Sequence, residues 1–194
     1  MSWIKKPTWR LLVVYALLAF LILGADRPTP LFLAIGLPPI LAGELMRIWA
    51  CGHLVKTKRL TTTGPYAYVK NPLYLGTILI SAGFCILAQA WLVLVMVAAG
   101  FFAYYMPRKK SIEGDRLRSI YGEAYERYET AVPDLLPRMT PYRSGDTTRF
   151  SGGLVFENSE HGTAMSISLG IALIFLSVWL RERGFISVPW ESIL

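Results

Sequence analysis

Cysteine is scarce in this chain, with only Cys51 and Cys85, and histidine equally so, with only His53 and His161. Neither cysteine has metal-ligand spacing, and both lie in or beside apolar stretches. They read as small core residues, and no metal centre is expected. Charge is thin as well. Asp, Glu, Lys and Arg make up 17% of the residues, where a soluble domain carries about a quarter. Internal repeats and low-complexity tracts are missing, which excludes solenoids and tail-like chains.

What fills the chain instead is apolar sequence. Hydrophobic residues are 54% of the total and the mean hydropathy is +0.42. The expectation is a single integral membrane domain, residues 1–194, all-α and polytopic, with about five transmembrane helices of roughly 20 residues each. Five apolar stretches supply them: about Trp9 to Gly24, Pro30 to Ala50, Pro72 to Ala90, Trp91 to Met106, and Ala164 to Leu180. The basic "MSWIKKPTWR" before the first stretch has the look of a secretory leader. No small-x-small cleavage site precedes "ADRPTP", so a retained span is expected. Between the third and fourth stretches, "LAQAWL" leaves room only for a tight turn, which predicts a helical hairpin. Pro38-Pro39 should kink or break the second.

The charges are placed unevenly. With the N-terminus inside, Lys5, Lys6, Arg10, Lys56, Lys58, Arg59, Lys70 and nine basic residues from Arg108 to Arg149 fall inside. Only Arg27, Arg181 and Arg183 fall outside. This bias predicts a cytoplasmic N-terminus and cytoplasmic large loops, in the inner membrane if the source is bacterial. It also accounts for the net charge of +7 through lipid and topology, with no nucleic-acid partner. Within the inner loop, "SIEGDRLRSIYGEAYERYET" reads as one amphipathic helix. Leu117, Tyr121, Tyr125 and Tyr128 recur at i, i+4, i+8 and i+11 on a single face.

Three groups could carry chemistry. Glu44 and Arg47 share a helical face inside a span, where each needs a partner. They read as an internal ion pair or as the lining of a polar cavity. In "GPYAYVKNPLYLG" (64–76), Gly64-Pro65 marks a turn, and Asn71-Pro72 looks like an N-cap followed by a first helical position. The helix start would attract anions, and Tyr66, Tyr68 and Tyr74 offer ring faces and hydroxyls. An interfacial aromatic belt is the plain alternative. Last, Arg108, Lys109 and Lys110 follow a span, and Glu113 stands four residues after Lys109, in reach of a pair. Glu157, Glu160 and His161 before the last span read as groups that solvate a helix start rather than close a polar site.

"LTTTGPYAYVKNPLYLG", then a hairpin, then "EGDRLRSIYGEAYERYETAVPDLLP" resembles the isoprenylcysteine carboxyl methyltransferase and phospholipid methyltransferase superfamily of integral membrane enzymes. That superfamily carries a G-x-Y…R-H-P-x-Y-x-G segment and a later Glu-Glu…Leu…Phe-Gly-x-x-Tyr segment. The likeness covers about residues 44–137 and leaves the last span, about 164–180, outside the shared core. It implies S-adenosylmethionine as cofactor, a cytoplasmic cofactor pocket, and a lateral opening for a lipid-like or prenylated acceptor, either a carboxylate or a phospholipid amine. The absence of a Gly-rich nucleotide loop after a strand agrees with a non-Rossmann enzyme.

Carried over by position, the resemblance implies cofactor contacts at Lys58, Arg59, Leu60, Thr61, Tyr66, Asn71, Pro72, Leu73, Tyr74 and Glu113. Lys109 would face the substrate carboxylate in catalysis, and Arg47, from its reading as a cavity lining and not from the resemblance, is expected to help orient an anionic substrate. The chain departs from the pattern in three places. Lys70 and Asn71 stand for the usual Arg-His, and Gly114 replaces one acid of the pair, with Asp115 next door. A nicotinamide-dependent membrane reductase of the sterol reductase type, and a non-catalytic lipid- or partner-binding relative, are the alternatives.

Overall fold

The computed structural model describes residues 28–55 and 59–185, apart from the Lys109 side chain. The expected first span and Lys58 therefore lie outside the described residues. Among those described there is no strand. The elements are α1 (Pro30–His53), a 3-10 turn (Gly64–Ala67), α2 (Pro72–Leu87), α3 (Trp91–Gly100), a π-helical segment (Phe101–Tyr105), α4 (Met106–Tyr121), α5 (Glu123–Ala131), α6 (Gly152–Glu157) and α7 (Glu160–Glu182).

Three described helices are long and apolar enough to cross a membrane: Pro30–His53, Glu160–Glu182, and the continuous run Trp91–Tyr121. Pro72–Leu87 is apolar but shorter. The fourth stretch thus does not stop near Met106. It passes through the π-helical segment straight into α4.

The predicted hairpin is present. Gln89, at φ 54, turns the chain between α2 and α3. The predicted break at Pro38-Pro39 is absent, because α1 runs unbroken past both. Two prolines remove two backbone donors, but residues on either side are fixed by packing, and neighbouring helices commonly hold such positions in membranes.

That packing is a seam of small residues. Gly36 and Gly43 on α1 face Gly83 and Gly76 on α2. A Cβ on Gly43 would stand 2.5 Å from the Gly76 carbonyl, and one on Gly83 would stand 2.6 Å from the Gly36 carbonyl. Among lipid tails, apolar burial alone gives helices little reason to associate. Close backbone approach supplies dispersion instead. Ile40, Cys85, Leu87, Ala88, Val93 and Ile174 form the core beside the seam, joining α1, the hairpin and α7. Both cysteines are buried, as expected of small core residues.

The amphipathic stretch is not one helix. Gly122, at φ 52, separates α4 from α5. A residue at positive φ ends the helix here, and glycine takes such a conformation without a Cβ penalty. The predicted face survives the break. Leu117 and Tyr121 from α4 meet Tyr125, Tyr128 and Val132, together with Leu60 and Tyr142.

Candidate functional site

A cavity of about 440 Å³ lies where the start of α2, the strip 59–61, α4 and α5 converge. Its size is that of a small-molecule or cofactor site, about 300–1,000 Å³. The stretch 64–76 builds one wall. Gly64 turns at φ 59 against the His53 ring, where a Cβ would come within 2.5 Å. The turn that follows buries Tyr66, and the Tyr128 hydroxyl donates to the Tyr66 carbonyl at 2.8 Å. Burial, followed by the nearby Cys51 and Glu113, pushes the Tyr66 phenol well above its usual range, so it stays protonated.

The chain after α5 holds this wall in place. The backbone N–H of Lys70 donates to the Pro133 carbonyl at 2.9 Å, and that of Asn71 to the Asp134 carbonyl at 3.2 Å. Further on, Arg138 N–H donates to Tyr68 O at 3.0 Å and Tyr142 N–H to Ala67 O at 2.8 Å. Asn71 occupies the N-cap position, but its side chain makes no capping bond. Its side-chain amide donates to the Asp134 carbonyl at 3.2 Å instead. The expectation of an Asn71 cap is corrected on that point: tertiary contact with the strap takes the side chain first.

Charge is largely matched inside. Asp134 accepts from Lys70 at 2.8 Å and from Lys110 at 2.7 Å, tying the segment before α2, α4 and the chain after α5 together. Burial alone would raise the Asp134 carboxyl, but hydrogen bonds and charge from Lys110 and Lys70 outweigh it and hold it below its usual value. Tyr74 donates to Glu113 at 3.1 Å. The π-helical segment sets Tyr105 edge-on to the same ring, centroids 6.0 Å apart, and Phe101 at 6.5 Å.

The residues expected at a cofactor site are brought together. Arg59, Leu60, Thr61, Tyr66, Asn71, Pro72, Leu73, Tyr74 and Glu113 all line the cavity. Arg47 is not among the lining residues. Of the two readings, internal ion pair or cavity lining, Arg47 meets the first, but with Glu160 as its partner rather than Glu44, through two bonds of 2.6 and 2.9 Å. Both Glu44 carboxyl oxygens are buried without a hydrogen bond. Helix α1 turns Arg47 toward α2 and α7, and Gly76 leaves room for its stem. The guanidinium also reaches Thr77 at 2.9 Å and Thr163 at 3.2 Å. Glu160 is 2% exposed, so the reading that it solvates a helix start is overturned. Glu157 and His161 do remain exposed.

Two acidic lining residues, Glu129 and Asp134, escaped the sequence reading. Glu129 sits across from Gly114, its Oε1 3.6 Å from where a Cβ there would stand. A carboxylate from α5 thus stands beside the position of the replaced acid. Asp115, the neighbour noted as a substitute, points outward, 71% exposed, to Arg118. Glu129 lies four residues after Tyr125, on the same helical face, which was the available signal. Lys110, also in the lining, was read only as part of a basic run.

Helices long and apolar enough to cross a bilayer, with a tyrosine-lined cavity beside them, define an integral membrane protein. Residues 46–124 match the phospholipid methyltransferase family. Two curated proteins are similar over 146 residues, or 72% of this chain. The cobalt-zinc-cadmium resistance protein CzcN of Cupriavidus metallidurans is 28% identical, with 66% of its length covered. The nickel-cobalt-cadmium resistance protein NccN of Alcaligenes xylosoxydans xylosoxydans is 25% identical, with 67% covered. The chain thus spans about two thirds of each relative's length. No solved structure matches.

Proposed function

We propose that this protein transfers a methyl group from S-adenosylmethionine to a lipophilic acceptor at the cytoplasmic membrane face. The carrying observation is the cavity itself. Nine residues implied by the family resemblance, spread from Arg59 to Glu113, line one space of cofactor size. The donor set suits the molecule. Glu113, set by Tyr74, can accept from an ammonium or ribose hydroxyl. Leu60, Leu73 and Leu117 offer apolar walls for an adenosine-like body. Tyr66, Tyr74 and Tyr125 offer ring faces to a cation.

S-adenosylmethionine, when bound, supplies an electrophilic methyl group on a sulfonium. The chain's residues orient the pair and exclude water, the main sources of rate in such a displacement. Lys109 and Arg47 remain the proposed anchors for an anionic acceptor, and Arg47 could act only after Glu160 releases it. The relatives' names attach metal resistance to those proteins, and nothing about the acceptor is taken from them.

Calorimetry on the detergent-solubilised chain tests the reading. Wild type should bind S-adenosylmethionine, and Glu113→Ala should bind at least about tenfold more weakly, the loss of one hydrogen bond to a charged group. Equal binding by the two would remove Glu113 from the site. Binding of a reduced nicotinamide cofactor in preference would favour the reductase.

A further inference from the structure

The strip 59–61 lines the cavity but belongs to no helix. An irregular segment needs outside bonds to hold one shape. The structure supplies them from residues 144–148, beyond the family match at 46–124. Asp146 Oδ2 accepts from the backbone N–H of Thr62 at 3.0 Å. Asp146 Oδ1 accepts from the backbone N–H of Thr148 at 3.0 Å and from its hydroxyl at 2.6 Å. Arg59, itself at the cavity, stands 4.0 Å from the same carboxylate. The Asp146 side chain is only 7% exposed. The Thr62 hydroxyl bonds Ser144, and Ser144 in turn accepts from the Asp146 N–H at 3.1 Å. On the other side Thr61 accepts from Val55 N–H at 3.3 Å.

We infer that Asp146 is a positioning residue for the cofactor site: it clamps the strip Arg59–Thr62 so that its backbone keeps one shape against the ligand. The inference rests on the methyltransferase reading for the identity of that ligand. The geometry favours a clamp over a plain surface contact. One buried carboxylate uses one oxygen on the strip and the other on its own loop, so the two segments share a single rigid anchor. A carboxylate does this better than an amide. Asparagine keeps one acceptor oxygen and must give up either Thr62 or Thr148. Alanine gives up both.

Hydrogen exchange on peptides covering 59–63, together with calorimetry and turnover using S-adenosylmethionine, tests the clamp in the full chain. Asp146→Ala should speed exchange in the strip by about tenfold while α1 and α2 stay protected. It should raise the KM for S-adenosylmethionine by about tenfold and change kcat by less than about twofold. Asp146→Asn should fall between. Should Asp146→Ala fail to fold, Thr148→Val, which removes only one bond to the carboxylate, must still raise strip exchange and KM. Unchanged exchange in the strip overturns the clamp. Faster exchange with KM unmoved, or with kcat falling as KM stays, overturns the positioning role. If wild type itself binds no S-adenosylmethionine, the methyltransferase reading fails, and strip exchange alone decides the clamp.

Discussion

Single residues show where spacing arguments end. Glu44 and Arg47 lie three apart and share a helical face, so a local ion pair was the natural reading. Arg47 instead crosses to Glu160, 113 positions away in the chain. Nothing local marks that choice, since a bidentate carboxylate from another helix outcompetes a neighbour one turn away. The side chains are 18% and 3% exposed, so the pair is desolvated. Removing one partner from such a pair leaves the other buried and uncompensated. Arg47→Ala should therefore lose about 3–5 kcal/mol, read as a drop in thermal midpoint in detergent. Replacing both residues with methionine should recover most of that loss. A double variant as unstable as the single one would show that the pair is not the source. Lining residues were easier to read, because Tyr66, Pro72, Tyr74 and Glu113 sit at fixed places in a recognisable pattern.

At the scale of elements, the hairpin and the helix starts were legible from turn chemistry and apolar length. The seam between α1 and α2 was not. Gly36 and Gly43 stand seven apart, as do Gly76 and Gly83. A seven-residue spacing returns to the same helical face, but which two faces meet depends on tertiary packing. The seam makes a contrast testable. Gly43→Ala places a methyl 2.5 Å from the Gly76 carbonyl and 2.8 Å from Ile80. Backbone cannot step aside like a side chain, so the helices must part, at about 1–3 kcal/mol. Gly100→Ala meets nothing within 4 Å and lies in a helical backbone. It should gain up to about 1 kcal/mol from helix propensity. Thermal unfolding of the two variants beside wild type should give shifts of opposite sign. A neutral or stabilising Gly43→Ala would mean that the helices do not meet at this distance.

Across the whole molecule, the strap after α5 joins parts that the sequence presents as separate. Residues 133–142 run along 67–71, and Asp134 binds Lys70 of one segment and Lys110 of another. Sequence patterns mark helices by periodicity. Irregular segments such as the strap and the loop after it have none, which is why both Asp134 and Asp146 went unread. The depressed Asp134 carboxyl gives the strap a pH signature. A carboxyl whose value falls on folding stabilises the fold once pH exceeds its unfolded value, about 3.9. That contribution disappears as pH falls through the folded value. From pH 7 down to about 4, wild type should therefore keep a constant stability margin over Asp134→Asn. Below about pH 3.9 the margin should shrink as the wild-type carboxyl takes up its proton and releases Lys70 and Lys110. Because other acids, Asp146 among them, also titrate there, the measured quantity is the difference between the two proteins in thermal midpoint at each pH. A margin that already narrows between pH 7 and 5 would assign the titrating group elsewhere, and no margin at any pH would mean that Asp134 does not hold the strap.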